Sequence, residues 1–152
     1  MPALLTTIAA QPFFKGLSEQ HLRMLADSAM HTEFTSGQSI FRTGDPPNRF
    51  YLIERGKVAV ELEVRDRAPI LIETLGPGRE IGWSWILTPQ HYEHFSATAL
   101  ETTDAIFFYG TRLREQCEQD HDFGYEMMKR MAEVMLHRIQ AASQLLLEAP
   151  AR

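Results

Sequence analysis

FRTGDPPNRFYLIERGKVAVEL, residues Phe41 to Leu62, holds the pattern on which the reading of this chain turns. Two β-prone runs, RFYLIE and KVAVELEV, flank Glu54-Arg55-Gly56-Lys57, where Gly56 can take a positive φ that a Cβ would penalise. That spacing predicts a hairpin. From Lys57 to Val64 the chain alternates: Val58, Val60, Leu62 and Val64 share one face, Lys57, Glu61 and Glu63 the other. Period-two alternation is what a half-buried strand requires. Upstream, Gly44-Asp45-Pro46-Pro47 is a turn cluster that neither a strand nor a helix can run through.

Outward from this stretch the same texture continues over residues 31–109. The runs HTEF, QSIFR, ILIETL, FSATAL and AIFFY are punctuated by Ser36-Gly37, Asp66-Arg67-Ala68-Pro69 and Gly76-Pro77-Gly78. Short strands recurring with turn signals at about ten-residue spacing predict an all-β roll or sandwich. Residues 1–30 read as a helical entry, with Ser18 as N-cap and Leu22, Leu25 and Ala29 at helical spacing behind it. The apolar segment 11–17, QPFFKGL, is expected to pack on the main body.

Residues 111–148 read as helical. Thr111 opens a short charged helix, TRLREQCEQ, and Asp122 is the expected cap of a longer one. Met128, Met131, Met135, Ile139, Ala142 and Leu146 step by three or four residues, and Met127, Val134, Leu145 and Leu147 widen the stripe. A stripe that wide predicts two contacts, with the chain's own body and with a second copy as a homodimer; a helix folded wholly onto its own barrel is the alternative. The expected architecture is mainly β: one domain over 1–152, an eight-stranded β-roll or jelly roll (a double-stranded roll of the cupin kind) with flanking helices and a long C-terminal helix.

Bulk properties narrow the function. Apolar residues make up 44% and charged residues 23% of the 152, as in ordinary globular domains, so a disordered or fibrous chain is excluded. A net charge of −5 opposes a phosphate-neutralising surface, and no direct DNA binding is expected. Cys117 is the only cysteine, which rules out a disulfide framework or a cysteine-based metal site. MPALLTTIAAQPFFKG lacks a basic start and a sustained apolar run, and no stretch approaches the ~20 apolar residues of a membrane helix. A soluble cytoplasmic protein without membrane contact is expected. Neither a nucleophile elbow nor a nucleotidase-type phosphate loop occurs, so no enzyme is expected.

Phe41, Gly44, Asp45, Phe50, Tyr51, Leu52, Ile53, Gly56 and Val58, with the order of parts from PFFKGLSEQHLRMLA to the final helix, carry a resemblance. The chain closely resembles the cyclic-nucleotide-binding domain family, which includes bacterial catabolite-activator-type regulators and regulatory subunits of cyclic-AMP-dependent kinase. The resemblance implies a β-roll with a phosphate-binding cassette between two strands. In that cassette a glycine-rich turn offers backbone N–H groups, a glutamate accepts the ribose 2′-hydroxyl, and an arginine pairs with the phosphate. The DNA-binding members add a helix-turn-helix after the final helix; here the sequence ends at Ala149-Pro150-Ala151-Arg152, and a stand-alone sensor or adaptor is expected.

The corresponding stretch is LGPGREIGWSWILTPQHYEHFSATAL, Leu75 to Leu100. Gly76, Gly78 and Gly82 fit the glycine positions, but Trp83 stands where the glutamate belongs and His94 where the arginine belongs. Sliding Glu80 into the glutamate position displaces Ile81 and Gly82. The candidate site is therefore Gly82, Trp83, Ser84, Trp85, His94, Ser96 and Thr98. Trp83 and Trp85 read either as an aromatic wall for a planar ligand or, in the case of Trp83, as a plug. His94 is a candidate anion partner that binds better at low pH. Ser96 and Thr98 are candidate hydroxyl donors or plain strand residues, and Arg79 a substitute cation or a solvated turn residue. His91 and His94 alone make a poor metal constellation. The candidate ligand is a small molecule such as cyclic AMP or cyclic GMP, with signalling through the final helix; the alternative is a ligand-free dimeric scaffold plugged by Trp83.

Overall fold

The computed structural model describes residues 2–86 and 92–149. Helices α1 (Pro2–Ala10) and α2 (Glu19–Ser28) lead into strands β1 (Met30–Phe34), β2 (Ser39–Phe41), β3 (Arg49–Arg55), β4 (Val58–Leu62), β5 (Ile70–Leu75) and β6 (Glu80–Ile81). A 3-10 turn, Trp83–Ile86, precedes β7 (Ser96–Ala99) and β8 (Thr103–Tyr109), and helices α3 (Gly110–Gln119) and α4 (His121–Glu148) follow. The strands form two antiparallel four-stranded sheets, ordered β1-β8-β3-β6 and β2-β7-β4-β5. This is the expected eight-stranded roll.

Two cores explain why β3 and β8 are apolar almost throughout. Tyr51, Ile53, Ala105 and Phe107 face the inside of the roll and meet Val58, Val60, Leu75 and Ala97 of the opposing sheet. Phe50, Leu52, Ile106 and Phe108 point the other way, against Phe14, Leu25, Leu113, Phe123 and Met127 of the helical layer. A strand buried on both faces loses the alternation that marks a half-exposed one.

The Gly56 turn is not a hairpin. β3 pairs with β6 and β8, whereas β4 pairs with β5 and β7, so the chain passes at Gly56 from one sheet to the other. The corner is tight: Gly56 has φ 106°, and a Cβ there would meet the Thr103 hydroxyl and lie 2.7 Å from the Thr102 carbonyl oxygen. A two-residue turn between apolar runs looks alike in sequence whether the strands pair or part.

Ser18 caps α2 as expected, its hydroxyl accepting from the His21 N–H at 3.2 Å. The cap of α4 is Asp120, not Asp122: its Oδ1 accepts from the Phe123 N–H at 3.1 Å. Asp120 also binds His21 Nε2 at 2.9 Å, a bond to α2 that holds the carboxylate two residues before the expected start. The apolar stripe of α4 is rotated from its expected phase. Phe123, Met127, Met131 and Val134 are buried, whereas Met128, Ile139 and Leu146 are exposed.

Gly56→Ala is expected to destabilise the protein by at least ~1–3 kcal/mol from the left-handed backbone alone, with the clash adding to it; thermal denaturation checks this.

Candidate functional site

The cassette begins where β6 gives way to Gly82. Gly82 has φ 87°, and a Cβ would stand 2.6 Å from the Arg49 carbonyl oxygen, so the turn lies flush on β3. In the 3-10 turn that follows, Trp83 and Trp85 diverge because successive residues are about 120° apart. Trp85 is fully buried in the helix-side core, its ring 6.0 Å from that of Phe50. Trp83 is half-buried, packing on the same core while bordering a small cavity between the sheets.

The far end of the cassette is docked by the Gly44-Asp45 turn. The Gly44 N–H donates to the Glu93 carbonyl at 2.9 Å, and the Glu93 N–H donates to the Asp45 carbonyl at 2.8 Å. His91 lies outside the described residues. Among the described residues no group of three or more His, Cys, Asp or Glu is placed to hold a metal ion.

Of the residues singled out in the sequence, Gly82, Trp83, Ser84 and His94 border one cavity. Trp85, Ser96 and Thr98 do not: the Ser96 hydroxyl donates to the Glu61 carbonyl at 3.3 Å, and Thr98 pairs with Ser39 and Ala59 inside its sheet. His94 is exposed at the mouth, edge-on to Phe95 with ring centroids 4.9 Å apart. Arg79 is engaged in a turn network, its guanidinium 3.0 Å from Glu73 Oε1. The cavity bounded by the described residues measures about 10 Å³, room for roughly one water, where ligand pockets span ~300–1,000 Å³.

Two charged groups on this cavity escaped the sequence reading. Arg138 of α4 is only 4% exposed; it donates to Glu73 Oε2 at 2.9 Å and to the Glu80 carbonyl at 2.6 Å. Glu73 is thus shared by Arg138 and Arg79. Beside them Glu80 is buried, and desolvation raises its carboxyl above the ordinary range despite the opposing pull of Arg79 and Arg138. Its Oε1 accepts no hydrogen bond among the described residues, with Arg79 Nε 3.7 Å away. The signal for Arg138 was present in the sequence: it follows Met127, Met131 and Val134 at helical spacing, a charge on the buried face.

The second group is Glu93, 5% exposed and hydrogen-bonded to Ser84. Burial pushes its carboxyl up to about 7; the Ser84 bond opposes the rise and Asp45 adds to it. On its other side Glu93 borders a cleft of about 270 Å³ with Asp45, Asn48, Arg49 and Tyr51. Cys117 is buried on the helix side, where desolvation followed by Glu118 and Asp120 raises its thiol to about 11. A thiol so held is no nucleophile at neutral pH.

Glu93 makes the fold pH-sensitive. The native state holds this proton more tightly than the unfolded chain, whose carboxyl titrates near 4.5, so the associated stability is complete below 4.5 and is lost as pH rises through about 7. Glu93→Gln, which stays neutral, is expected to be more stable than wild type at pH 8 by about 3 kcal/mol, with the gap closing toward pH 5. Urea unfolding of both proteins at the two pH values checks this.

Comparison with known proteins agrees with the geometry. The family model described as cyclic nucleotide-binding domain matches residues 31–120, more than half of the chain. The acetyltransferase Pat of Mycolicibacterium smegmatis is 39% identical over 75 residues, which cover 49% of this chain and 22% of that protein. The chain therefore spans about a fifth of that relative's length. A putative cyclic nucleotide-binding protein from Geobacter metallireducens is similar in structure with a TM-score of 0.78, 23% identity, and coverage of 88% of this chain and 96% of that one. The regulatory subunit of a cAMP-independent protein kinase A from Trypanosoma cruzi, bound to guanosine, gives a TM-score of 0.67 at 21% identity, covering 83% and 49%. From its strand order, its cassette and this family match, the chain belongs to the cyclic nucleotide-binding domain family.

Proposed function

We propose that this chain is a non-catalytic regulatory module that binds a small ligand in its altered cassette and reports the event through α4. The observation that carries this reading is Arg138. It is a residue of α4, yet its guanidinium is buried on the cassette cavity and bonded to β5 and β6. A ligand that enters the cassette must re-pair or displace that cation, and the helix backbone moves with it. Cyclic AMP and cyclic GMP remain the candidate ligands by family. The Trypanosoma cruzi relative, cAMP-independent and bound to guanosine, supports a wider class that includes nucleosides.

A rival reading is favoured by one number, the cavity of about 10 Å³. A cassette closed by Trp83 and Arg138 would serve a ligand-free scaffold. Calorimetric titration with cyclic AMP, cyclic GMP and guanosine, paired with amide hydrogen exchange along α4, separates the two. Saturable heat with altered exchange beyond Val134 is expected, and Arg138→Ala is expected to raise that exchange without ligand. No heat at millimolar concentration and no response in α4 would leave the scaffold.

The module is also proposed to be a homodimer in the cytoplasm. Met128, Leu136, Ile139, Leu146 and Leu147 of α4 are 44–80% exposed and recur at helical spacing on the face turned away from the roll. Replacing Ile139 and Leu146 together with Glu is expected to turn a dimer into a monomer with unchanged circular dichroism, as read by sedimentation equilibrium.

A further inference from the structure

The cassette cavity carries an acidic group, Glu93, on the same lining as the Gly82–Ser84 turn. Ser84, the one hydroxyl of the 3-10 turn, lines the same cavity as the Glu93 carboxyl and opposes the rise that burial gives it. The main chain of Glu93 is fixed, because both its N–H and its carbonyl are bonded to the Gly44-Asp45 turn. Glu93 stands as a wall between the closed cavity on one side and the 270 Å³ cleft on the other.

The groups facing Glu93 do not neutralise it. Phe41 of β2 and Val60 of β4 are apolar, and Asp45 brings a second carboxylate. On β3, Tyr51 offers a phenol, and the Arg49 guanidinium lies over the Phe107 ring at 4.3 Å. On α4, Arg138 is bonded to Glu73 and to the Glu80 carbonyl, and the neighbouring His94 is exposed. No cation figures among the groups that set the acidity of Glu93.

We propose that Glu93 sets the charge a ligand of the cassette must carry: its carboxylate excludes a phosphate from the Gly82–Ser84 turn and selects a ligand presenting a hydrogen-bond donor there, and a cyclic phosphate enters only as Glu93 takes up a proton. The inference rests on the cassette being a ligand site. A phosphate and a carboxylate sharing one desolvated turn repel each other, as two carboxylates do, and the pair is relieved by protonating one member. Buried and titrating at about 7, Glu93 is poised to take that proton, whereas His94 is exposed at the mouth of the cavity.

The probe is cyclic AMP, titrated calorimetrically into wild type, Glu93→Gln and His94→Ala at pH 6 and pH 8. Wild type should bind about tenfold more tightly at pH 6, as a required proton on a group titrating near 7 dictates. Glu93→Gln should bind at least about tenfold more tightly than wild type at pH 8, with the pH response gone, and His94→Ala should keep that response. Wild type titrated at pH 8 in two buffers of different ionisation enthalpy should show close to one proton taken up per ligand, a readout independent of any variant's folding.

The proposal is overturned if Glu93→Gln binds no tighter than wild type, including the case in which neither binds. It is also overturned if binding takes up no proton or if the pH response disappears with His94. Another ligand that alters exchange along α4 while Glu93→Gln gains nothing for cyclic AMP would keep the regulatory module and remove this role of Glu93. Tight binding to Glu93→Gln with α4 unmoved would do the reverse.

Discussion

The guanidinium of Arg138 is the constraint around which the cassette side of the molecule is arranged. A cation taken out of water loses several kcal/mol of hydration, so the fold must return equivalent contacts in fixed places. It does so with the Glu73 carboxylate of β5, a backbone carbonyl of β6 and the attraction of the Glu80 carboxyl, against the like charge of Arg79 on the intervening turn. These bonds fix how far α4 runs along the roll before it departs into solvent. They also explain why β6 can be a strand of only two residues, since its carbonyl is held by a side chain as well as by the ladder to β3. The family resemblance supplies the roll; this charge is one of the contacts that place the helix on it.

The other end of α4 is held differently. Arg130 donates to the carbonyls of Phe13 at 2.7 Å and Lys15 at 2.5 Å and pairs with Glu126 at 2.7 Å. Phe123 and Met127 are buried in the core shared with β3 and β8. Hydrophobic contact thus anchors the first turns of the helix, polar contact the middle, and none of the described residues covers Leu146 or Leu147, which are about 80% exposed. Apolar burial tolerates sliding, whereas a buried charge tolerates only exchange of partners. The segment around Arg138 is therefore held by named partners rather than by contacts that can slide.

How much of this was legible in the sequence follows from which signals are local. The seven β-prone runs became seven strands because alternation and turn residues act over a few positions; β6, two residues long, is too short to carry a period. Ser18 was readable as a cap because its hydroxyl meets the N–H of its own helix. Asp120 outcompeted Asp122 through a bond to His21, 99 positions away, which no local pattern encodes. The same limit applies at Gly56, whose neighbours fix a turn while partners beyond Ile70 and Ser96 decide which sheets the strands join. Gly82, Trp83, Ser84 and His94 border one cavity because motif spacing tracks the backbone. Glu93 and Arg138 were missed because their importance lies in burial, and a charged residue is ordinarily read as exposed.

The smallness of the cavity follows from those two missed residues as much as from Trp83. An indole filling space can be pushed aside at the cost of packing, and Trp83 is half-buried, with one edge already free of the core. Charges that satisfy one another inside the protein are harder to dislodge, since an incoming group must replace each lost partner before it gains anything. Here the acid, Glu93, is bonded to the turn, and the cation, Arg138, is bonded to the strands beneath it. A molecule that matched only one of them would leave the other unpaired in a dry site. Under the proposed function a ligand would have to bring an acceptor for Arg138 and either a donor for the Glu93 carboxylate or a proton taken up by Glu93. The acceptor, in drawing Arg138 from Glu73 and Glu80, is what would carry the event into α4.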